Sequence, residues 1–355
     1  MKMKWRDGLF SAAGLLVFCA FCAAGAAMAS DVLVGACIYK FDDTFMKGVR
    51  RNMVSEMKKL GGELEVADSQ NQQPVQDGQV GAFINKGAKA LIVNLVNPVD
   101  RAVAASLLEK ARAANLPIVF LNREPDAEVM KSYDKACYVG THAEESGRLL
   151  GELIVDYFKG HPEADRNGDG KIQYVMLRGG EGQQDAILRT EFSVKAMKDG
   201  GFEVEELASE TANWDKAQGA ERMKGFIASV GLDRIEAVVA NNDSMALGAI
   251  AALKAEGYNL GDAAKYIPVV GVDATAPALE AMGQGTLLGT VLNDARGQGA
   301  AAVRAAFAAA QGRAIDKETV GYEVTDGKYI WIPYMKVTTE NFKRFHSCIT
   351  NHTQT

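Results

Sequence analysis

Ala237-Val-Val-Ala-Asn-Asn-Asp-Ser-Met-Ala-Leu-Gly-Ala-Ile-Ala-Ala-Leu-Lys-Ala255 holds the plan of the whole chain in one unit. Four small apolar residues read as a buried strand, a run of polar residues ends it, and apolar residues then recur at three- and four-residue spacing. The same succession recurs on both sides. Val32–Tyr39 runs into Asp43 and Phe45, Pro117–Leu121 into Asn122, and Ile172–Leu177 towards Asp185 and Arg189. Val204–Ala208 leads to Trp214, Ala237–Ala240 into Asn241, Asn242 and Asp243, Pro268–Val272 into Asp273, and Leu287–Leu292 into Asn293 and Asp294. Helical spacing follows over Asp43–Leu60, Val75–Lys86, Val99–Asn115, Glu144–Phe158, Asp185–Lys198, Lys216–Val230, Asp243–Gly257 and Ala295–Gln311. Strands alternating with helices of this length predict βαβ units and a parallel sheet covered on both faces. The pattern pauses near Cys137–Thr141 and restarts, which predicts an α/β fold of two doubly wound, Rossmann-like lobes.

In an open α/β sheet, ligands bind beyond the carboxyl ends of the strands. The residues found there are carboxylates, amides, one guanidinium and two aromatic rings. A hydroxyl both donates and accepts; Asp accepts, Arg donates in a fixed fork and Asn does both, so this set can satisfy a small polyol. Phe45 and Trp214 could cover the apolar faces of a sugar ring. A core residue at a helix start is the competing reading for Phe45, and a surface residue at a helix start for Trp214.

Enzyme chemistry finds little support. The four histidines, His142, His161, His346 and His352, have no metal-pair spacing, and neither a Gly-x-Ser-x-Gly elbow nor a phosphate-binding loop is present. Gly179-Gly180-Glu181-Gly182 lacks the third glycine of a dinucleotide fingerprint and reads as a flexible turn between strand and helix. Asp43, Asp185 and Asp273 could furnish a glycosidase pair, but they lie in separate segments among amides and an arginine that would keep them ionised. A binding site with no catalytic residue is expected, with a secreted sugar-processing enzyme as the remote alternative.

The ends and composition bound the compartment. Lys2, Lys4 and Arg6 precede an apolar stretch, Leu9–Phe21, and Ala27-Met28-Ala29 is a small-x-small cleavage signal, so residues 1–29 read as a signal peptide. Its removal takes three basic residues and one acidic residue, moving the formal charge from -6 to -8. No basic block remains to suggest nucleic acid. The remaining chain of about 326 residues fits two domains. Cys37, Cys137 and Cys348 are left; the first two sit in apolar runs and read as buried thiols, and an odd number argues against a disulfide framework.

Asp165-Arg-Asn-Gly-Asp-Gly-Lys-Ile-Gln173 resembles the start of an EF-hand loop. Asp165, Asn167 and Asp169 occupy positions 1, 3 and 5, Gly170 takes the turn, the Lys171 carbonyl takes position 7 and Gln173 position 9. The twelfth position, normally a bidentate acid, is Met176, and a strand follows where an EF-hand has a helix. The two readings are a solvated turn or a structural calcium loop completed by a distant carboxylate; the oxygen array favours calcium.

Taken together, these segments resemble the periplasmic D-galactose/D-glucose-binding proteins of ABC sugar importers, within the type I periplasmic binding proteins. Tyr39-Lys-Phe-Asp-Asp-Thr-Phe-Met46, Ala67-Asp-Ser-Gln-Asn71, Val119-Phe-Leu-Asn-Arg-Glu-Pro125, Ser132-Tyr-Asp-Lys-Ala136, Tyr138-Val-Gly-Thr141, Trp214-Asp215, Ala240-Asn-Asn-Asp243, Gly271-Val-Asp273 and Gly289-Thr-Val-Leu-Asn-Asp294 match in order. The resemblance implies sugar ligands at Asp43, Asn122, Asp185, Arg189, Asn242, Asp273 and Asn293, with Phe45 and Trp214 as an aromatic sandwich. It implies calcium ligands at Asp165, Asn167, Asp169, Lys171, Gln173 and the distant Glu236. It also implies a three-segment hinge near Gly140–Thr141, Asn293–Ala295 and Trp331–Pro333. The lobes would comprise residues 30–140 with 295–331, and residues 141–294 with 332–355. A monomeric periplasmic protein that hands a monosaccharide to an inner-membrane permease, and in some members to a chemoreceptor, follows from it. One departure bears on specificity: Gln183 stands where the family has a sugar-binding histidine, which leaves a pentose or another hexose as alternative ligands. Arg123 replaces a lysine beside the site.

Overall fold

A computed structural model describes residues 32–345; the signal-peptide segment and Cys348 lie outside the described residues. The chain first lays down β1 (Leu33–Ile38), α1 (Thr44–Leu60), β2 (Glu63–Asp68), α2 (Gln73–Lys86), β3 (Ala90–Val93), α3 (Arg101–Ala113), β4 (Ile118–Leu121), α4 (Ala127–Lys131) and β5 (Ala136–Gly140). It continues through α5 (Ala143–Gly160), β6 (Lys171–Arg178), α6 (Gln184–Asp199), β7 (Glu203–Thr211), α7 (Lys216–Val230), β8 (Ala237–Ala240) and α8 (Asp243–Ala255). Then come β9 (Val269–Val272), α9 (Ala276–Gly283), β10 (Gly289–Leu292), α10 (Ala295–Ala310), α11 (Lys317–Val320), β11 (Val324–Thr325), β12 (Tyr329–Trp331) and β13 (Met335–Val337).

Two sheets result. One runs β2-β1-β3-β4-β5-β12-β11 and the other β7-β6-β8-β9-β10-β13. Only the last-added pairings, β11 with β12 and β13 with β10, are antiparallel. Each sheet reverses its strand order beside its first strand, which opens a crevice at the carboxyl ends of the strands. Central strands such as Ala90–Val93 and Ala237–Ala240 are buried along their whole length because helices cover both faces. The chain passes between the sheets three times: from Gly140 to Ala143, from Leu292 to Ala295, and from Trp331 to Met335.

Helix boundaries follow local chemistry, and several of the caps lie at the crevice. Asp43 caps α1 by accepting from the Met46 N–H at 2.7 Å, and Gly61, at φ 73°, ends it. Asn242 caps α8 through the Met245 N–H at 3.0 Å. A capping residue must lie just beyond a strand, which is where a ligand of the sheet must lie too. Cys37 and Cys137 are free and buried, and burial pushes both thiols up to about 12. Among the described residues no helix is long and apolar enough to cross a membrane.

Close helix pairs cross at glycines. A methyl group on Gly151 of α5 would lie 2.3 Å from the Ser193 carbonyl oxygen of α6, and one on Gly248 of α8 would lie 2.2 Å from the Lys216 carbonyl oxygen of α7. These contacts are with backbone and cannot swing aside. Gly151→Ala should therefore cost about 1–3 kcal/mol in urea unfolding. Gly225→Ala, inside α7 with nothing within 4 Å of the added carbon, should instead stabilise by about 0.5–1 kcal/mol. A destabilised Gly225→Ala, or a neutral Gly151→Ala, would contradict this packing.

Candidate functional site

The carboxyl ends of the two sheets face one narrow, partly open cavity. Asp43, Phe45, Asn122, Gln183, Asp185, Arg189, Trp214, Asn242, Asp273 and Asn293 all line it. The structure thus brings together every sugar-contact residue expected from the sequence. Tyr39, Met46 and Arg123 line it as well. Tyr39 ends the first strand and Arg123 follows Asn122, so their places on the chain were the available signal; their side-chain directions were not legible. Asn241 and Asp243, polar residues at the same strand end as Asn242, are fully buried and turn into the lobe instead.

The first lobe presents a chain of charges. Tyr39 donates its hydroxyl proton to Asp43 Oδ2 at 2.6 Å, and the Arg123 guanidinium lies 3.7 Å from the centre of the Tyr39 ring. Arg123 is anchored from behind by donating to the Leu95 and Val96 carbonyls at 2.7 and 2.9 Å. Burial lowers the pKa of Arg123, and Tyr39 and Asp43 oppose that shift. Burial, then Asp43, raises the phenol of Tyr39.

Arg189 dominates the second lobe. It is 3% exposed and donates from Nε to Ser146 Oγ at 3.1 Å, from Nη1 to the Asn241 carbonyl at 2.9 Å and from Nη2 to Tyr334 Oη at 3.0 Å. Burial pulls its pKa down, but Tyr334, Asp185 and Asp273 outweigh it and hold the guanidinium charged. A guanidinium has five N–H donors, so three engaged bonds leave two for a ligand.

Donor and acceptor roles in the cavity are divided by residue type. Gln183 Oε1 accepts from Trp214 Nε1 at 2.7 Å, Asn242 Oδ1 from the Met245 N–H, and Asn293 Oδ1 from Gln298 Nε2 at 2.6 Å. Each of these amides has its oxygen engaged and N–H left over. The acceptors are the carboxylates of Asp43, Asp185 and Asp273. Non-glycine residues with positive φ line the cavity at Asn122 (66°), Trp214 (63°) and Asp273 (123°), with their neighbours Asn213 at 50° and Ala274 at 51°. Such conformations cost of order 1–3 kcal/mol each and persist only where the surroundings enforce them.

Asp243 enforces the turn at Asp273. It accepts from the Thr275 N–H at 2.8 Å and hydroxyl at 3.1 Å, and from Thr290 Oγ1 at 2.6 Å. Thr290 Oγ1 accepts in turn from the Ala274 N–H at 3.3 Å. Burial pushes Asp243 up to about 7 and raises Asp273 as well, with Arg189 opposing both shifts.

The acidic loop of the second lobe lies apart from this cavity. Asp165 accepts from the N–H groups of Gly168, Asp169 and Gly170, and Asp169 from the Lys171 N–H and Gln173 Nε2. Glu236 sits beside the loop, accepting from the Arg166 N–H at 2.7 Å and the Gln173 N–H at 3.1 Å. Among the described residues no three His, Cys, Asp or Glu side chains converge on one point. The buried Gln173 Oε1 has no hydrogen-bond partner, and burial, reinforced by Asp165 and Asp169, raises the Glu236 pKa. An unpartnered amide oxygen beside carboxylates that repel one another is a donor set of the kind a hard cation takes.

The profile described as "Periplasmic binding protein domain" matches residues 34–314. The D-galactose/methyl-galactoside binding periplasmic protein of Haemophilus influenzae is 40% identical over 323 residues, which is 91% of this chain and 94% of that protein. A putative rhizopine-binding protein of Rhizobium meliloti is 33% identical over 88% of this chain and 92% of its own. An ABC transporter solute-binding protein from Bacillus halodurans, solved with bound myo-inositol, superposes with a TM-score of 0.74 at 31% identity, over 90% of this chain and 98% of that one.

The Asp243 carboxyl has a sign that can be tested. Its pKa is raised in the folded protein, so the folded state binds the extra proton; that contribution is complete below the ordinary value of 3.8 and is lost as pH rises through about 7. Urea unfolding of the ligand-free protein between pH 4 and 8 should show a fall in stability with rising pH that is shallower in Asp243→Asn. Equal slopes would remove Asp243 from that balance.

Proposed function

The chain belongs to the periplasmic binding protein family, as a sugar-binding component of ABC import and not an enzyme, and on that premise we propose that its ligand is a monosaccharide of the D-galactose/D-glucose type. The observation that carries the reading is a cavity lined by donors and acceptors from both lobes together with the rings of Phe45 and Trp214. Asp43, Phe45 and Asn122 belong to one lobe and Asp185, Arg189, Trp214, Asn242 and Asp273 to the other, so the full set of contacts exists only when the lobes are closed. Ligand binding then shifts the population towards closure by the contacts that the open form lacks. The closed monomer is the species offered to the permease and, in a further role, to a chemoreceptor. The relative named for D-galactose and methyl-galactoside supports the hexose. Gln183 and the relative solved with myo-inositol support a second reading, another cyclic polyol or a pentose.

Titration calorimetry with D-galactose, D-glucose, D-xylose, L-arabinose and myo-inositol separates the readings. One-to-one binding of a hexose at micromolar affinity or tighter is expected, and Trp214→Ala should weaken it by about a hundredfold or more, as for a buried aromatic anchor. Binding of none of the hexoses would transfer the site to another ligand.

We further propose a structural calcium ion held by Asp165, Asn167, Asp169, the Lys171 carbonyl, Gln173 and Glu236. The orphaned Gln173 oxygen supports it, and the ion would supply charge compensation at the entrance to β6 and β8. Calcium should raise the melting temperature of the wild-type protein over that in chelator. Glu236→Gln should lower it in calcium alone; an equal drop in both buffers would mean that Glu236 is no ligand.

A further inference from the structure

We propose that Gln183 and Trp214 form one rigid unit, seated on Gly179 and Gly180, that turns the Gln183 N–H donors towards its end of the cavity. A ligand hydroxyl there is selected for its ability to accept. The inference rests on the polyol reading of the cavity and adds a specificity rule to it.

The orientation of the glutamine follows from chemistry. An indole N–H can only donate, so the atom 2.7 Å from Trp214 Nε1 must be the amide oxygen of Gln183. The amide nitrogen, with two N–H groups, is then the part left for a ligand. Gln183 occupies the cap position of α6 yet makes no side-chain cap bond, so its amide is not spent on the helix.

The paired glycines account for the seat. A methyl group on Gly179 would lie 2.1 Å from the Trp214 ring, and one on Gly180 would lie 2.4 Å from the Gln183 amide nitrogen. Neither glycine has a left-handed backbone. Space, and not conformational freedom, is therefore what these two positions require. Asn242 Nδ2 completes the clamp by donating to the carbonyl of Trp214, a residue held at φ 63°. The glycine-rich stretch thus belongs to the binding site and does more than connect β6 to α6.

An imidazole at this position could donate, accept or become charged between pH 5 and 8. An amide whose oxygen already accepts from an indole turns its N–H groups to the ligand and cannot become charged. The ligand is read here for a neutral acceptor, whatever the pH.

The test uses D-galactose, D-glucose and their monofluoro analogues, in each of which one hydroxyl becomes a C–F group that cannot donate. At one ring position the wild-type protein should tolerate fluorine better than at the others. Gln183→Glu keeps an oxygen for the indole but presents an acceptor, and should lose about tenfold against that one analogue, relative to its parent sugar. If wild type and Gln183→Glu rank every analogue alike, the donor rule is wrong. The rigid unit has a readout that needs no sugar: tryptophan emission of the ligand-free protein should shift in Gln183→Leu and in Gly180→Ala. Unchanged emission in both would overturn the unit. Absence of hexose binding by the wild-type protein would overturn the choice of sugar, and emission would still judge the unit.

Discussion

Arg189 carries a charge out of contact with water, and the groups that compensate it connect the site to the segments joining the lobes. A buried guanidinium is tolerated only when its donors are filled and a counter-charge is near. Its partners are Ser146 in α5, the end of β8 at Asn241, and Tyr334 in the third passage between sheets. Tyr334 is hydrogen-bonded at 2.7 Å to Thr141 in the first passage. Thr141 and Tyr334 therefore belong to the same network as the cavity-lining guanidinium. The two donors that Arg189 has left are aimed by that network, while Asp185, 3.8 Å away, and Asp273 supply negative charge.

The rest of the cavity follows a related rule. Each amide with a fixed oxygen partner offers N–H, and each carboxylate offers lone pairs, so a neutral polyol meets a pattern it can complete without leaving a buried group unpaired. That pattern is maintained by strained turns. Asp273 and Trp214 stand in backbone conformations that their own residue types disfavour; Asp243 holds the first turn from inside the lobe and Asn242 holds the second from the cavity wall. Strain held by buried hydrogen bonds keeps the contacts in place before a ligand arrives, which reduces the ordering cost of binding.

Much of this was legible along the chain. The strand-to-polar-to-helix rhythm locates β1, β4, β6, β7, β8, β9 and β10, and because Asp43 and Asn242 cap helices there, residues that stop these strands are also ones facing the crevice. The rhythm could not separate Asn242 from its neighbours Asn241 and Asp243. All three are polar and adjacent, yet one lines the cavity and the others anchor Gly179 and Thr275 from within. Gly179 and Gly180 were similarly ambiguous, since a glycine needed for space and a glycine needed for a turn look alike in sequence. Glu236 is 63 residues from Gln173, and its place beside the loop comes from the parallel pairing of β6 with β8.

By itself, then, the sequence determined the two doubly wound lobes, the strand ends that line their shared cavity and the class of sugar-binding protein. Those properties depend on periodicity and residue type, which are local. Tertiary structure alone decided which atoms face the cavity: that Gln183 turns its oxygen to Trp214, that Arg189 keeps two donors, and that Arg123 lies over Tyr39. Those choices arise where side chains distant in sequence compete for the same lone pairs and the same space, and only the packed lobes bring the competitors together.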